Sequence, residues 1–125
     1  MPTVSQPKNL GDLLKYEAPS LYSRETDTVA AGQKLALGTV VGRDTASSKL
    51  KAIDPAATDG SEIAIGVLAG DVDATLIDRE DAILIARHAI VARGALVWPS
   101  GITAAQKAAA IAQLTFLGVL VRDSA

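Results

Sequence analysis

The stretch that decides the fold lies at residues 41–52, which read VGRDTASSKLKA. A β-branched residue, Val41, is followed by a polar run over residues 42–48 that is rich in the glycine, aspartate and serine typical of turns. Apolar residues and lysines then alternate over residues 49–52, which is the period of a half-buried strand. The stretch therefore predicts a strand, a turn and a second short strand.

Further strands are predicted on both sides of this unit. Residues 35–41 alternate between apolar and other positions, which indicates a strand. Gly60 lies in a strong turn signal, because glycine adopts positive φ without steric cost. After it, residues 63–69 place an apolar residue at every second position, and Gly66 and Gly70 indicate a bulge or a close backbone approach there.

The most apolar run, residues 82–92, reads AILIARHAIVA. It is β-branched and too evenly apolar to have one solvated face. We therefore predict a single strand covered on both sides, either by its own domain or by another subunit. Pro99 closes the segment, since proline cannot continue a central strand.

One helix is clear near the end of the chain. Thr103 and Gln106 have the spacing of a capping box, and Gly118 stands where a glycine commonly ends a helix. The predicted buried stripe follows the 3.6-residue period and comprises Ala104, Ala108, Ile111, Leu114 and Leu117. A terminal strand over residues 119–121 follows. The fold class is therefore α+β: a small β-rich domain with one helix in its C-terminal region.

Residues 1–28 differ in character from residues 29–125. They contain three prolines, many polar residues and only scattered large apolar ones. Such a segment buries too little surface to offset its chain entropy, so we expect a flexible N-terminal arm, with an ordinary frayed terminus as the alternative. Residues 29–125 form the β-rich domain.

The composition excludes several functions. The 125 residues include 49% hydrophobic but only 3% aromatic residues, which is too few rings for the stacking platforms that bind single-stranded nucleic acid. A formal charge of −2 gives no general attraction to phosphate backbones. The absence of cysteine excludes disulfides and thiolate chemistry and fits a reducing compartment. We find no secretory signal and no apolar run long enough to cross a bilayer. Taken with the low aromatic content and the charge, this means that neither nucleic acid nor membrane is an expected partner.

No set of residues forms a coherent catalytic or metal-binding pattern. The acidic cluster Asp71, Asp73, Asp78, Glu80 and Asp81 fails the calcium-loop spacing and is interpreted as a solvated turn and strand edge. His88 has no second histidine and no nucleophile motif beside it, and is interpreted as a strand residue at an edge or subunit contact. The glycine pairs lack the lysine of a phosphate loop. We therefore predict no catalytic residue, no metal, no cofactor and no enzymatic activity.

A family resemblance is carried by residues 41–50, by Asp54, by the turn at residues 58–60 and by residues 65–69. Together with the later order of residues 96–99, the helix and a closing strand, they resemble the lambda-type bacteriophage head decoration proteins over residues 29–125. The resemblance implies a β-rich, non-enzymatic protein that is made in the host cytoplasm and binds the outside of the expanded head as a homotrimer. It also implies that an N-terminal arm orders on the major capsid protein.

The predicted function is therefore a capsid-cementing protein of the virion. The candidate capsid-binding residues are the large apolar groups of the arm, Leu14, Tyr16, Leu21 and Tyr22. Two alternatives remain open. One is an oligomeric scaffold or tail subunit that uses residues 82–92 as its interface, and the other is a metal-dependent hydrolase built around the acidic cluster.

Overall fold

The computed structural model describes residues 9–123. It contains two α-helices, α1 Leu10–Leu13 and α2 Ala104–Phe116, and two 3₁₀ helices, Pro19–Leu21 and Arg93–Ala95. The strands are β1 Leu14–Glu17, β2 Arg24–Val29, β3 Gln33–Leu35, β4 Val40–Arg43, β5 Leu50–Ala52, β6 Gly66–Leu68, β7 Val72–Ala74, β8 Arg79–Ile85, β9 Ala89–Ala92 and β10 Val119–Arg122. This β-rich arrangement with one main helix confirms the predicted fold class.

Five strands close into a barrel in the order β2-β5-β4-β6-β8. Strands β2 and β8 run antiparallel from the pair Arg24 and Ile85 to the pair Val29 and Arg79. Val29 also bridges in parallel to Leu50 of β5, and this bridge completes the ring. The barrel core consists of Val29, Leu35, Val41, Leu50, Leu68, Val72, Ala74, Ala82 and Leu84.

A second core lies between the barrel and a three-stranded sheet of order β1-β9-β10. Its central strand, β9, is antiparallel to β1 and parallel to β10. The adjacent residues Val40 and Val41 of β4 belong to different cores, because alternate side chains of a strand point to opposite faces. Strand β6 divides in the same way at Val67 and Leu68. Both strands are therefore covered on two sides.

The prediction of one strand over residues 82–92 is wrong. The run contains the end of β8, a turn and all of β9, and the two strands belong to different sheets. His88 lies in that turn with a φ of 48°, so its interpretation as a strand residue is also wrong. The turn carries no glycine, proline or asparagine. On its two sides, Leu84 is buried in the barrel core and Val91 in the second core. The run reads as continuous because two buried strands follow one another closely.

Other predicted elements are confirmed in part. The capping box is present, with the Thr103 hydroxyl accepting from the Gln106 amide, and Gly118 has the positive φ of a glycine that ends a helix. Of the predicted helix stripe, Leu114 is buried, Ile111 is half-buried and Ala104, Ala108 and Leu117 are exposed. The buried face also includes Ala110. The helix is therefore rotated from the predicted orientation, because alanine positions carry little information about burial.

The described part of the predicted arm packs onto the domain. Leu13 is fully buried in the second core, β1 pairs with β9, and β2 is a strand of the barrel. Residues 1–8, the remainder of the predicted arm, lie outside the described residues. The boundary at residue 28 falls inside β2, so it does not mark a break between packed elements.

Candidate functional site

Residues 17–24 are fastened to the turn between β8 and β9. The Ser23 hydroxyl, which is fully buried, donates to the carbonyl oxygen of His88 at 2.9 Å and accepts from the Ala18 amide at 2.9 Å. The Arg24 guanidinium donates twice to the Glu17 carboxylate, at 2.8 and 2.7 Å. This bidentate bond lowers the pKa of Glu17. A defined surface loop results, held at both of its ends.

Tyr22 lies within this loop and is held at the surface by two neighbours. Arg87 donates to the Tyr22 carbonyl at 2.6 Å, and its guanidinium carbon lies 5.2 Å from the centre of the tyrosine ring. The His88 ring meets the Tyr22 ring edge-on, with the two centres 5.2 Å apart. A further ion pair joins Arg87 to Glu25. The ring is therefore oriented although it remains half-exposed.

Three of the four candidate capsid-binding residues form an exposed set. The exposed fractions are 52% for Tyr16, 61% for Leu21 and 53% for Tyr22. Tyr16 lies on β1, at the edge of the three-stranded sheet, and the other two lie at the 3₁₀ helix and just after it. Leu14 is different, because it is half-buried and packs against the second core. We call Tyr16, Leu21 and Tyr22 the N-terminal apolar patch.

Several carboxylates of the acidic cluster, Asp73 and Asp78 among them, bind groups of the protein itself. Asp73 accepts from the amide and the hydroxyl of Thr75, and the hydroxyl bond lowers the pKa of Asp73. Asp78 accepts from the Ala31 amide at 2.8 Å and pairs with the Lys49 ammonium at 2.5 Å, and Lys49 lowers its pKa. Within residues 9–123, no three His, Cys, Asp or Glu side chains come together in a way that could hold a metal ion. Asp73 and Asp78 therefore stabilise local backbone structure.

Sequence reasoning missed two other exposed apolar sets. Leu76 and Ile77, in the loop between β7 and β8, are 89% and 68% exposed. Phe116, at the end of α2, is 92% exposed and stands beside Leu117 and Ile63. The available signal at the β7–β8 loop was a pair of aliphatic residues between the turn-forming aspartates Asp73 and Asp78. At the helix it was a phenylalanine two residues after a core leucine, on the opposite side of the helix.

The chemistry of these surfaces is mainly apolar. Neither helix in residues 9–123 has the length and apolar character that crossing a membrane requires. What the surfaces share is large apolar side chains that are exposed to solvent. Such patches are typical of protein–protein contact.

A comparison with known protein families agrees with a role in protein–protein contact. The family model for bacteriophage lambda head decoration protein D matches residues 3–119, which is nearly the whole chain. None of the curated proteins compared with the chain matches it. The match extends beyond residues 29–125, which carried the resemblance, and takes in most of the N-terminal segment. On this evidence the chain belongs to the bacteriophage lambda head decoration protein D family, whose members are structural proteins of the phage capsid.

Proposed function

We propose that this chain is a capsid-cementing protein, which binds the outer surface of the expanded phage head as a homotrimer and stabilises it. The major capsid protein is its partner, and synthesis takes place in the host cytoplasm before assembly. The observation that carries the proposal is the family match, which gives the chain a capsid decoration role. The exposed apolar sets support it, because an isolated domain gains nothing from displaying them.

The capsid contact is assigned to the N-terminal segment, residues 1–28. Its described part presents the N-terminal apolar patch beside β1, and β1 is an edge strand of its sheet. An edge strand has backbone groups on its outer side that can pair with an extended segment of another protein. Backbone hydrogen bonds would then supply affinity, while the side chains of Tyr16, Leu21 and Tyr22 enter pockets on the shell.

Binding would act on the head by mass action. A ligand stabilises a state in proportion to its preference for that state, so a site completed only on expansion favours the expanded shell. Three identical contacts on one trimer act together, because the first makes the others intramolecular at an effective concentration of the order of millimolar. Individually weak contacts therefore suffice for a firm attachment.

The two alternative functions lose the features on which they were based. The scaffold or tail-subunit hypothesis used residues 82–92 as one interface strand, but this run is divided between two sheets. The hydrolase hypothesis used the acidic cluster, whose carboxylates Asp73 and Asp78 form hydrogen bonds with neighbouring backbone and side chains. No observation on the described residues favours either function over capsid decoration.

Co-sedimentation with purified expanded heads tests the proposal. The wild-type chain should pellet with expanded heads but not with unexpanded ones, and it should raise the temperature at which the heads disrupt. The variant Tyr16→Ala/Leu21→Ala should bind at least about tenfold more weakly. The binding free energy lost with these two exposed side chains is multiplied over the three copies of a trimer.

The matched control is Ile83→Ala, which truncates an exposed aliphatic side chain on the outside of the barrel. It should bind as the wild type does. If the Tyr16→Ala/Leu21→Ala variant decorated heads at normal occupancy, the assignment to the N-terminal segment would be wrong. If the wild type failed to pellet with expanded heads, the cementing function itself would be wrong.

A further inference from the structure

We infer that the Asp59–Gly60 bond is the principal site of spontaneous backbone modification in this chain, and that the fold suppresses the reaction by engaging the groups that take part in it. The product is isoaspartate, in which the backbone runs through the side chain of residue 59. Among the aspartates of the sequence, only Asp59 is followed by glycine. A glycine nitrogen is the most accessible in such a reaction, because no Cβ lies beside it.

The reaction joins the backbone nitrogen of Gly60 to the side chain of Asp59. The nitrogen attacks Cγ of the carboxylic acid, an N–Cγ bond forms, and the carboxyl hydroxyl leaves with the amide hydrogen as water. A second water molecule then adds to the backbone carbonyl carbon of Asp59 and breaks its bond to the Gly60 nitrogen. The succinimide ring opens to isoaspartate. The first step therefore requires a free amide, a peptide group that can rotate and an uncharged carboxyl group.

The peptide group between Asp59 and Gly60 is bonded at both of its polar atoms. The Gly60 amide donates to the Glu62 carboxylate at 2.8 Å. The Asp59 carbonyl oxygen accepts from the amide and the hydroxyl of Thr45, at 2.8 and 2.9 Å. Rotation of this peptide group breaks bonds on both sides of it, so the Gly60 nitrogen is not free to react.

Backbone packing adds a steric restraint on the same loop. Gly60 has a φ of 107°, and a Cβ there would lie 2.5 Å from the carbonyl oxygen of Arg43 and 2.7 Å from Cγ2 of Thr45. One residue further on, the Ser61 carbonyl oxygen lies where a Cβ on Gly42 would approach it to 2.5 Å. The loop is therefore packed directly against the end of β4 and cannot rotate without displacing its neighbours.

The Asp59 carboxylate has a partner at each of its oxygens. Oδ1 accepts from the amide and the hydroxyl of Ser61 at 3.0 and 2.6 Å, and Oδ2 accepts from the Lys51 ammonium at 3.1 Å. These bonds, that of the Ser61 hydroxyl foremost, lower the pKa of Asp59. At a given pH the acid form that condenses is therefore rarer in the folded chain than in an unfolded one.

Ageing of the full-length chain at neutral pH, well below its melting midpoint, tests the inference. Endoproteinase Asp-N cuts before aspartate but not before isoaspartate, so peptide mapping measures modification at residue 59 as lost cleavage. The folded wild type should react there at least about tenfold more slowly than the chain unfolded in guanidinium chloride, because one hydrogen bond to a charged group already corresponds to about tenfold. In the unfolded chain, Asp59 should be the first aspartate to react.

Two variants test which bonds suppress the reaction. Glu62→Ala frees the Gly60 amide, and Ser61→Ala removes the hydroxyl from the Asp59 carboxylate. Each should speed the reaction in the folded chain at least about threefold and leave the rate in guanidinium chloride within about twofold of wild type. The matched control is Glu62→Gln, which keeps an acceptor oxygen for the Gly60 amide and should age as the wild type does. Circular dichroism establishes that each variant is folded at the ageing temperature.

Each possible outcome decides one part of the inference. Equal rates in the folded and unfolded wild type would overturn suppression by the fold, and this comparison does not depend on any variant. Earlier reaction at another aspartate of the unfolded chain would overturn the assignment of the site. Folded Glu62→Ala and Ser61→Ala chains that aged as slowly as wild type would overturn the role of the bonds at Gly60 and Asp59. Slow ageing of the folded wild type, with faster ageing of both variants, would support the inference.

Discussion

At the scale of single residues, Gly66 in β6 is a position that only glycine fits without movement of its neighbours. A Cβ atom at this position would lie 2.6 Å from a side-chain carbon of Leu84 and 2.7 Å from the carbonyl oxygen of Ile85. Glycine is needed here because β6 and β8 approach closely on the wall of the barrel. The sequence predicted a bulge or a close approach at Gly66 and Gly70, and the structure shows a close approach only at Gly66.

We expect Gly66→Ala to lower the free energy of unfolding by about 1–3 kcal/mol, because the added methyl group forces backbone and core to move. Urea unfolding at a fixed protein concentration measures this change. The matched control is Gly70→Ala, since a Cβ at Gly70 meets nothing within 4 Å. The control should stay within about 0.5 kcal/mol of wild type. Equal effects at both positions would contradict the close packing of β6 on β8.

At the scale of secondary-structure elements, α2 shows which sequence signals are informative. Its start and its end were predicted by Thr103, Gln106 and Gly118, because capping is decided by local hydrogen bonds. Its buried face was not predicted correctly, because the helix is largely alanine and carries a single charge, Lys107. Alanine fits either face, so the 3.6-residue period leaves the orientation open. The exposure of Phe116 follows from that same orientation.

We expect Thr103→Ala to destabilise the protein by about 1 kcal/mol, because the Gln106 amide loses the hydroxyl that caps it at 3.1 Å. The free energy of unfolding from urea titration measures the loss. Thr103→Ser keeps the hydroxyl and should recover most of the wild-type stability. Should the alanine and serine variants prove equally stable, the cap would contribute nothing and α2 would be held by core contacts such as Leu114 alone.

Short strands were predicted where turn residues bound them and missed where they did not. The predicted strand at Leu50–Ala52 is confirmed. It could be predicted because polar turn residues precede it and a proline follows soon after. The run over residues 82–92 was misread as one strand, since its turn at Arg87 and His88 lacks the residues that usually mark a turn. That turn is stabilised instead by contacts with residues 22–25, which are far away in sequence.

At the scale of the whole molecule, the candidate surfaces depend on long-range packing. The N-terminal apolar patch could be proposed from sequence because its large residues stand alone in a polar segment. The exposed positions of Leu76, Ile77 and Phe116 could not, because these residues resemble ordinary core positions until the fold shows them exposed. Leu117 is such a case, predicted inside and found partly exposed. Sequence therefore identified the family and proposed one candidate surface, while the other exposed apolar residues became visible only in the fold.

The fold also determines how the N-terminal segment can be tested. Leu13 is fully buried, and β2 supplies one of the five strands of the barrel. A chain beginning at Val29 loses both, so the barrel is opened and the second core has a cavity. We expect this deletion to abolish cooperative unfolding, since loss of one buried leucine side chain alone costs about 2–5 kcal/mol. Thermal melting followed by circular dichroism measures the result.

A chain beginning at Asn9 is the matched control, because it keeps every element from α1 to β10. It should melt cooperatively, within a few degrees of the full-length protein. The pair of deletions also tests the predicted arm. If the chain beginning at Val29 melted as the control does, residues 1–28 would be separable from the domain as the sequence predicted. If only the chain beginning at Val29 failed to fold, the segment that presents Tyr16, Leu21 and Tyr22 would be part of the folded core.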